Sequence, residues 1–94
     1  DLYFNEIYKN VAKNKKNEIF INLSKLNNLN DEMKMRVFKK SIVDLANTYY
    51  SPRSKKILNL VDKIKETKNL KLTLGGCIIL RQKNHICLKK ETKN

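Results

Sequence analysis

Three groups of cationic side chains are the residues of this chain best suited to chemistry: Arg36 with Lys39 and Lys40, Arg53 with Lys55 and Lys56, and Arg81 with Lys83, Lys89 and Lys90. The chemistry they suit is phosphate binding. A guanidinium offers a fixed fork of N–H donors and an ammonium a mobile point charge. Eighteen Lys and three Arg stand against nine acidic residues, for a formal net charge of +12, which favours polyanionic partners, nucleic acid first. Lys, Asn and Ile make up nearly half the chain, and all three have AT-rich codons, so genome composition inflates the Lys count. Arg36, Arg53 and Arg81 are the cleaner signal.

Every reaction class that can be tested lacks its minimum set of groups. The only glycines, Gly75-Gly76, lie between two strand-like runs with no helix start after them, so they make no phosphate-cradling loop. His85 is two residues from Cys87 and reads as a turn residue rather than a general base. Cys77, His85 and Cys87 match no metal-clip spacing. The acidic residues are scattered except for Asp31-Glu32, which a helix start explains, leaving no carboxylate pair for acid–base work or magnesium. The chain on its own is expected to be non-catalytic and to carry no cofactor or metal. No apolar run approaches the roughly 20 residues that cross a bilayer, and Asp1 to Asn5 lack the order of a signal peptide. The expected location is cytoplasmic, with Cys77 and Cys87 as reduced, apolar strand residues.

The elements that must position these cations follow from periodicity. Phe4, Ile7, Tyr8 and Val11 recur at helical spacing until the polar run Lys13 to Asn17 ends the pattern. This helix opens at residue 1 with no capping residue before it, which predicts that the chain continues upstream. Ile19, Ile21 and Leu23 alternate with polar neighbours as a short strand, and Ser24 to Leu29 reads as a turn. Asn30 is placed to cap a second helix, with Asp31 and Glu32 in its first turn. Its apolar face is Met35, Phe38, Ile42, Leu45 and Tyr49, with Arg36, Lys39 and Lys40 opposite. Ser51-Pro52 predicts the start of a third helix, with Ile57, Leu58, Val61 and Ile64 inward and an end near Lys68-Asn69. The period then changes to two. Leu70 to Leu74, Cys77 to Lys83 and His85 to Lys89 predict a three-stranded meander with turns at Gly75-Gly76 and Lys83-Asn84. Leu80 then faces Cys87, which puts Cys77 and Cys87 on opposite sheet faces and excludes a disulfide. The expected fold is one α+β domain, three helices packed against an antiparallel sheet of three to four strands. Tyr49 and Tyr50, between the last two helices, either stack on a base or fill the core.

Arg36-Val37-Phe38-Lys39-Lys40, the apolar helix Ile57-Leu58-Asn59-Leu60-Val61, and the hairpin Leu72-Thr73-Leu74-Gly75-Gly76 running out to Arg81 together resemble the middle domain of tRNA(Ile)-lysidine synthetases, over about Leu23 to Leu88. The family's Arg-Arg pair is Lys39-Lys40 here, which keeps charge and loses the bidentate fork. The resemblance implies an ATP- and magnesium-dependent ligase that adenylates the wobble cytidine of an isoleucine tRNA and joins lysine to it. The family's Ser-Gly-Gly-x-Asp-Ser nucleotide loop has no counterpart in this sequence. By the resemblance, the domain partners tRNA and an upstream catalytic domain of the same chain, with Arg36, Lys39, Lys40, Arg53, Lys55, Lys56, Arg81 and Lys83 on the RNA. The competing expectation is a protein-interaction scaffold with a generic basic surface, which self-associates weakly if Phe4, Ile7 and Tyr8 of the first helix stay exposed.

Overall fold

A computed structural model describes residues 2–47 and 52–91. Four helices lie on one face of a five-stranded antiparallel sheet, an α+β architecture as the periodicities require. In chain order the elements are α1 (Leu2–Val11), β1 (Ala12–Lys15), β2 (Glu18–Asn22), α2 (Leu23–Asn27), α3 (Asp31–Ala46), α4 (Ser54–Glu66), β3 (Leu70–Leu74), β4 (Cys77–Arg81) and β5 (His85–Lys90). The sheet order is β1-β2-β5-β4-β3, so β5 of the C-terminal meander meets β2 from the other end of the chain.

Two segments differ from the sequence expectation. The polar run after α1 is strand β1, pairing with β2 through a two-residue turn in which Lys16 and Asn17 have φ of 44° and 66°. Positive φ at both central residues gives the twist that two-residue hairpins need. Neither residue is glycine, which is why the turn is hard to read in sequence. The segment from Leu23, expected as a turn, is the short helix α2. Asn22 caps it by accepting from the Lys25 N–H at 3.0 Å, and Leu23 and Leu26 carry it into the core.

The meander forms as the alternation predicts. Gly75 and Gly76 have φ of 60° and 81° in the tight turn joining the pair Leu74↔Cys77, and Leu80 faces Cys87. Both thiols are free and buried, on opposite faces of the sheet. Ile19, Ile21, Cys77, Ile79, Ile86 and Leu88 form the inner face against Val37, Phe38 and Ile42 of α3 and Ile57, Leu60, Val61 and Ile64 of α4. Leu60 takes the inward position expected of Leu58, which is 40% exposed. The spacing 57, 60, 61, 64 traces one helical stripe, and position 58 lies a quarter turn off it.

α3 starts where expected, with Asn30 accepting from the Met33 N–H at 2.8 Å. It ends at Asn47 in the left-handed conformation. Tyr49 and Tyr50 lie outside the described residues. α4 starts two residues later than the Ser-Pro signal predicts, with Arg53 at its N-cap position and no side-chain cap. Ser51 is outside the described residues. Pro52 lies against the β3–β4 turn: a Cβ on Gly75 would come within 2.8 Å of Pro52 Cγ and 2.7 Å of Ile42 Cγ2. Gly75 is therefore required for close approach as well as for its φ.

Candidate nucleic-acid interface

The nominated cations have unequal surroundings, set by which element packs beside each. α1 lies across α3, and two of the cations face it. The Arg36 guanidinium sits 4.4 Å from the centroid of the Phe4 ring, and Lys40 Nζ sits 5.3 Å from that of Tyr8 and 3.5 Å from the Asp44 carboxylate. These are cation–π contacts that help to fasten α1. The same contact line explains why Phe4 is buried and why Ile7 and Tyr8 are partly buried, so the apolar patch conceived for them does not form. Leu2 and Tyr3, at 85% and 70%, are the exposed large hydrophobic side chains of α1 instead. The Tyr8 hydroxyl donates to Ser41 Oγ at 3.0 Å, while Ser41 donates to the Val37 carbonyl. Burial pushes the Tyr8 phenol up in pKa.

Arg81 also points inward. The strand alternation puts it on the helix side of β4, where Nη1 donates to the carbonyls of Ile64, at 2.7 Å, and Thr67. It satisfies the end of α4, where orphan carbonyls and the negative end of the dipole favour a cation. Lys83 is exposed at the β4–β5 turn. Asp31 at the start of α3 is 3.1 Å from Lys65 Nζ and 3.8 Å from Lys34 Nζ. Lys34 is 7% exposed, its stem covering apolar surface while the ammonium reaches the carboxylate.

The other end of α4 is built differently. Lys39 Nζ reaches across from α3 to donate to Ser54 Oγ at 2.7 Å, and Arg53, Lys55 and Lys56 are exposed around the same turn. The first turn of α4 contains no acidic residue and no side-chain cap. Cations here oppose the dipole; the Lys56 and Ile57 N–H groups share the Arg53 carbonyl, and the Ser54 and Lys55 N–H groups ahead of them have no intrahelical acceptor. An anion relieves both mismatches. The fold thus brings together Lys39, Arg53, Lys55 and Lys56. Lys83 stands instead beside Asn22 and Ser24 at the β4–β5 turn, and Arg36, Lys40 and Arg81 have partners within the fold.

A second basic surface lies on the sheet face away from the helices; of its lysines the sequence reading named Lys89 and not Lys13, Lys15 or Lys71. Register aligns Lys13, Phe20, Cys87, Leu80 and Lys71 in one row across all five strands, and Lys15, Glu18, Lys89, Ile78 and Thr73 in the next. The missed signal was the alternation of Lys13 and Lys15 with Ala12 and Asn14. His85 shares this face, its ring 5.8 Å from that of Phe20. Burial raises the pKa of both the Cys77 and Cys87 thiols, so they stay protonated at neutral pH. Among the described residues no three His, Cys, Asp or Glu side chains converge on one point, and no helix is long and apolar enough to cross a membrane. Comparison of the chain with protein-family models, with curated proteins and with solved structures finds no match.

Proposed function

We propose that this chain is a tRNA-binding domain of an ATP-dependent ligase resembling tRNA(Ile)-lysidine synthetase, working in the cytoplasm. The junction of α3 and α4 holds the phosphate backbone. ATP and magnesium belong, on this reading, to a catalytic domain of the same chain. The observation that carries the reading is the meeting of Lys39 with an uncapped, acid-free helix start flanked by Arg53, Lys55 and Lys56. Structural cations gather at helix C-termini; four at an N-terminus suit a negatively charged ligand. The motif combination from Arg36 to Arg81 adds the identity of that ligand through the family resemblance.

The test is titration with an isoleucine tRNA over a range of salt. Log K should fall by somewhat under one unit per decade of salt for each phosphate neutralised. Replacing Lys39 and Lys56 together by Ala should lower the slope by about two phosphate equivalents and weaken binding on the order of tenfold. A salt-independent affinity, or a double variant that binds like the parent, rejects the junction as the site.

The scaffold reading keeps one observation in its favour, the exposed pair Leu2 and Tyr3 on α1. It requires a concentration-dependent mass in sedimentation together with no tRNA binding.

A further inference from the structure

The open face of the sheet has an uncommon composition. Its apolar part consists of Phe20, Ile78 and Leu80, each half-buried, with Cys87 6% exposed between them. Around that centre stand Lys13 and Lys15 on edge strand β1, Lys71 on edge strand β3 and Lys89 on β5. The only acidic side chain in these two rows is Glu18. Four Lys less one Glu leaves these two rows at +3. The row from Lys13 to Lys71 crosses five strands, a span of about 19 Å at a strand spacing near 4.8 Å. Phe20 lies on the second strand of that row, and the His85 ring is tilted 59° against it on the neighbouring strand.

We propose that this face is a platform for unpaired RNA bases, with Phe20 as the stacking ring and Lys13, Lys15, Lys71 and Lys89 on the flanking phosphates. The proposal rests on the tRNA reading only in taking RNA as its ligand; the surface and the kind of contact differ. Charge complementarity selects a polyanion. The aromatic ring in the middle selects one with exposed π faces, which single strands present and duplexes hide. A protein partner fits poorly. A stable interface covers roughly 800 Å² on each side and keeps charge out of its centre, whereas three half-buried apolar side chains expose at most about 200 Å² inside a frame of lysines. The described residues of the α3–α4 junction supply cations and helix N–H groups, which suit phosphate backbone. The two surfaces on opposite sides of the sheet are thus suited to paired and unpaired parts of one folded RNA.

Fluorescence anisotropy on the 94-residue chain with labelled oligouridine and with an RNA duplex of equal length separates the two surfaces. Phe20→Leu keeps an apolar residue on the strand and removes the ring. It should weaken oligouridine binding about tenfold, within the roughly 5- to 150-fold expected for one stacked base, and leave duplex binding unchanged. Phe20→Trp should retain the affinity and show its fluorescence quenched by oligouridine. If thermal melting shows Phe20→Leu to be unfolded, the exposed pair Lys13→Ala with Lys71→Ala decides, with an expected loss of at least threefold for oligouridine and none for duplex. Oligouridine affinity unmoved in the folded Phe20→Leu chain overturns the proposal, and so does an equal loss for both ligands. A concentration-dependent mass that Phe20→Leu abolishes also overturns it, because a second copy then occupies the face. Failure of the tRNA reading looks different: the parent chain then binds neither ligand.

Discussion

The two ends of α4 carry similar charge and use it in opposite ways. At the C-terminal end Lys63 and Lys65 occupy the last turn, and Arg81 donates to the carbonyls of Ile64 and Thr67. Cation and dipole agree there, and the charge is spent on holding helix to sheet. At the N-terminal end Arg53, Lys55 and Lys56 surround uncapped N–H groups, with Lys39 beside them on Ser54. Cation and dipole disagree, and the fold supplies no anion among the described residues of that turn. Charge alone therefore does not mark a ligand site. Charge placed against the local field, and left exposed, does.

The comparison can be broken by exchanging the behaviour of the ends. Arg81→Ala should have the largest effect, about 2–3 kcal/mol of stability, because two carbonyls lose a charged donor at a half-buried site. Chemical denaturation measures it, and tRNA affinity of the still-folded fraction should hold. A large affinity loss at unchanged stability would make Arg81 a ligand residue and erase the contrast. Gly75→Ala should follow at about 1–3 kcal/mol, from a Cβ driven into Ile42 and Pro52 together with a positive φ. Since Pro52 leads into α4, this variant should also lower tRNA affinity, which Arg81→Ala should not.

The sharpest test is the smallest. Arg53→Asp supplies the missing N-cap acceptor and reverses a charge that opposes the dipole, so it should raise stability by about 1 kcal/mol. The same change should weaken tRNA binding several-fold. Opposite signs in one variant are the signature of a site held ready for an anion, and loss of both stability and affinity would refute it.

Much of the fold was legible in sequence, because its signals are local. The Asn30 cap, the apolar stripes of α3 and α4, and the Gly75-Gly76 turn with its Leu80↔Cys87 register each depend on a few adjacent residues and on the period of one element. The candidate site was legible only in part. Lys39, Arg53, Lys55 and Lys56 converge as their proximity across a short break suggests. Arg36 and Arg81, the stronger chemical signals, are taken up by Phe4 and by the end of α4.

Adjacent residues alone therefore dictate the elements with strong periods, the net positive charge and the separation of the two cysteines. The tertiary structure decided what each cation does, for a reason that is general to charged side chains. A lysine or arginine is defined by the ring, carbonyl, carboxylate or dipole within a few ångströms of it, and those partners come from distant parts of the chain: Phe4 for Arg36, Ile64 and Thr67 for Arg81, Ser54 for Lys39. It also decided that Lys13 and Lys15 form an edge strand. Their weak alternation gains meaning only once β2 and β5 pair and give the sheet a second face, with Phe20 at its centre.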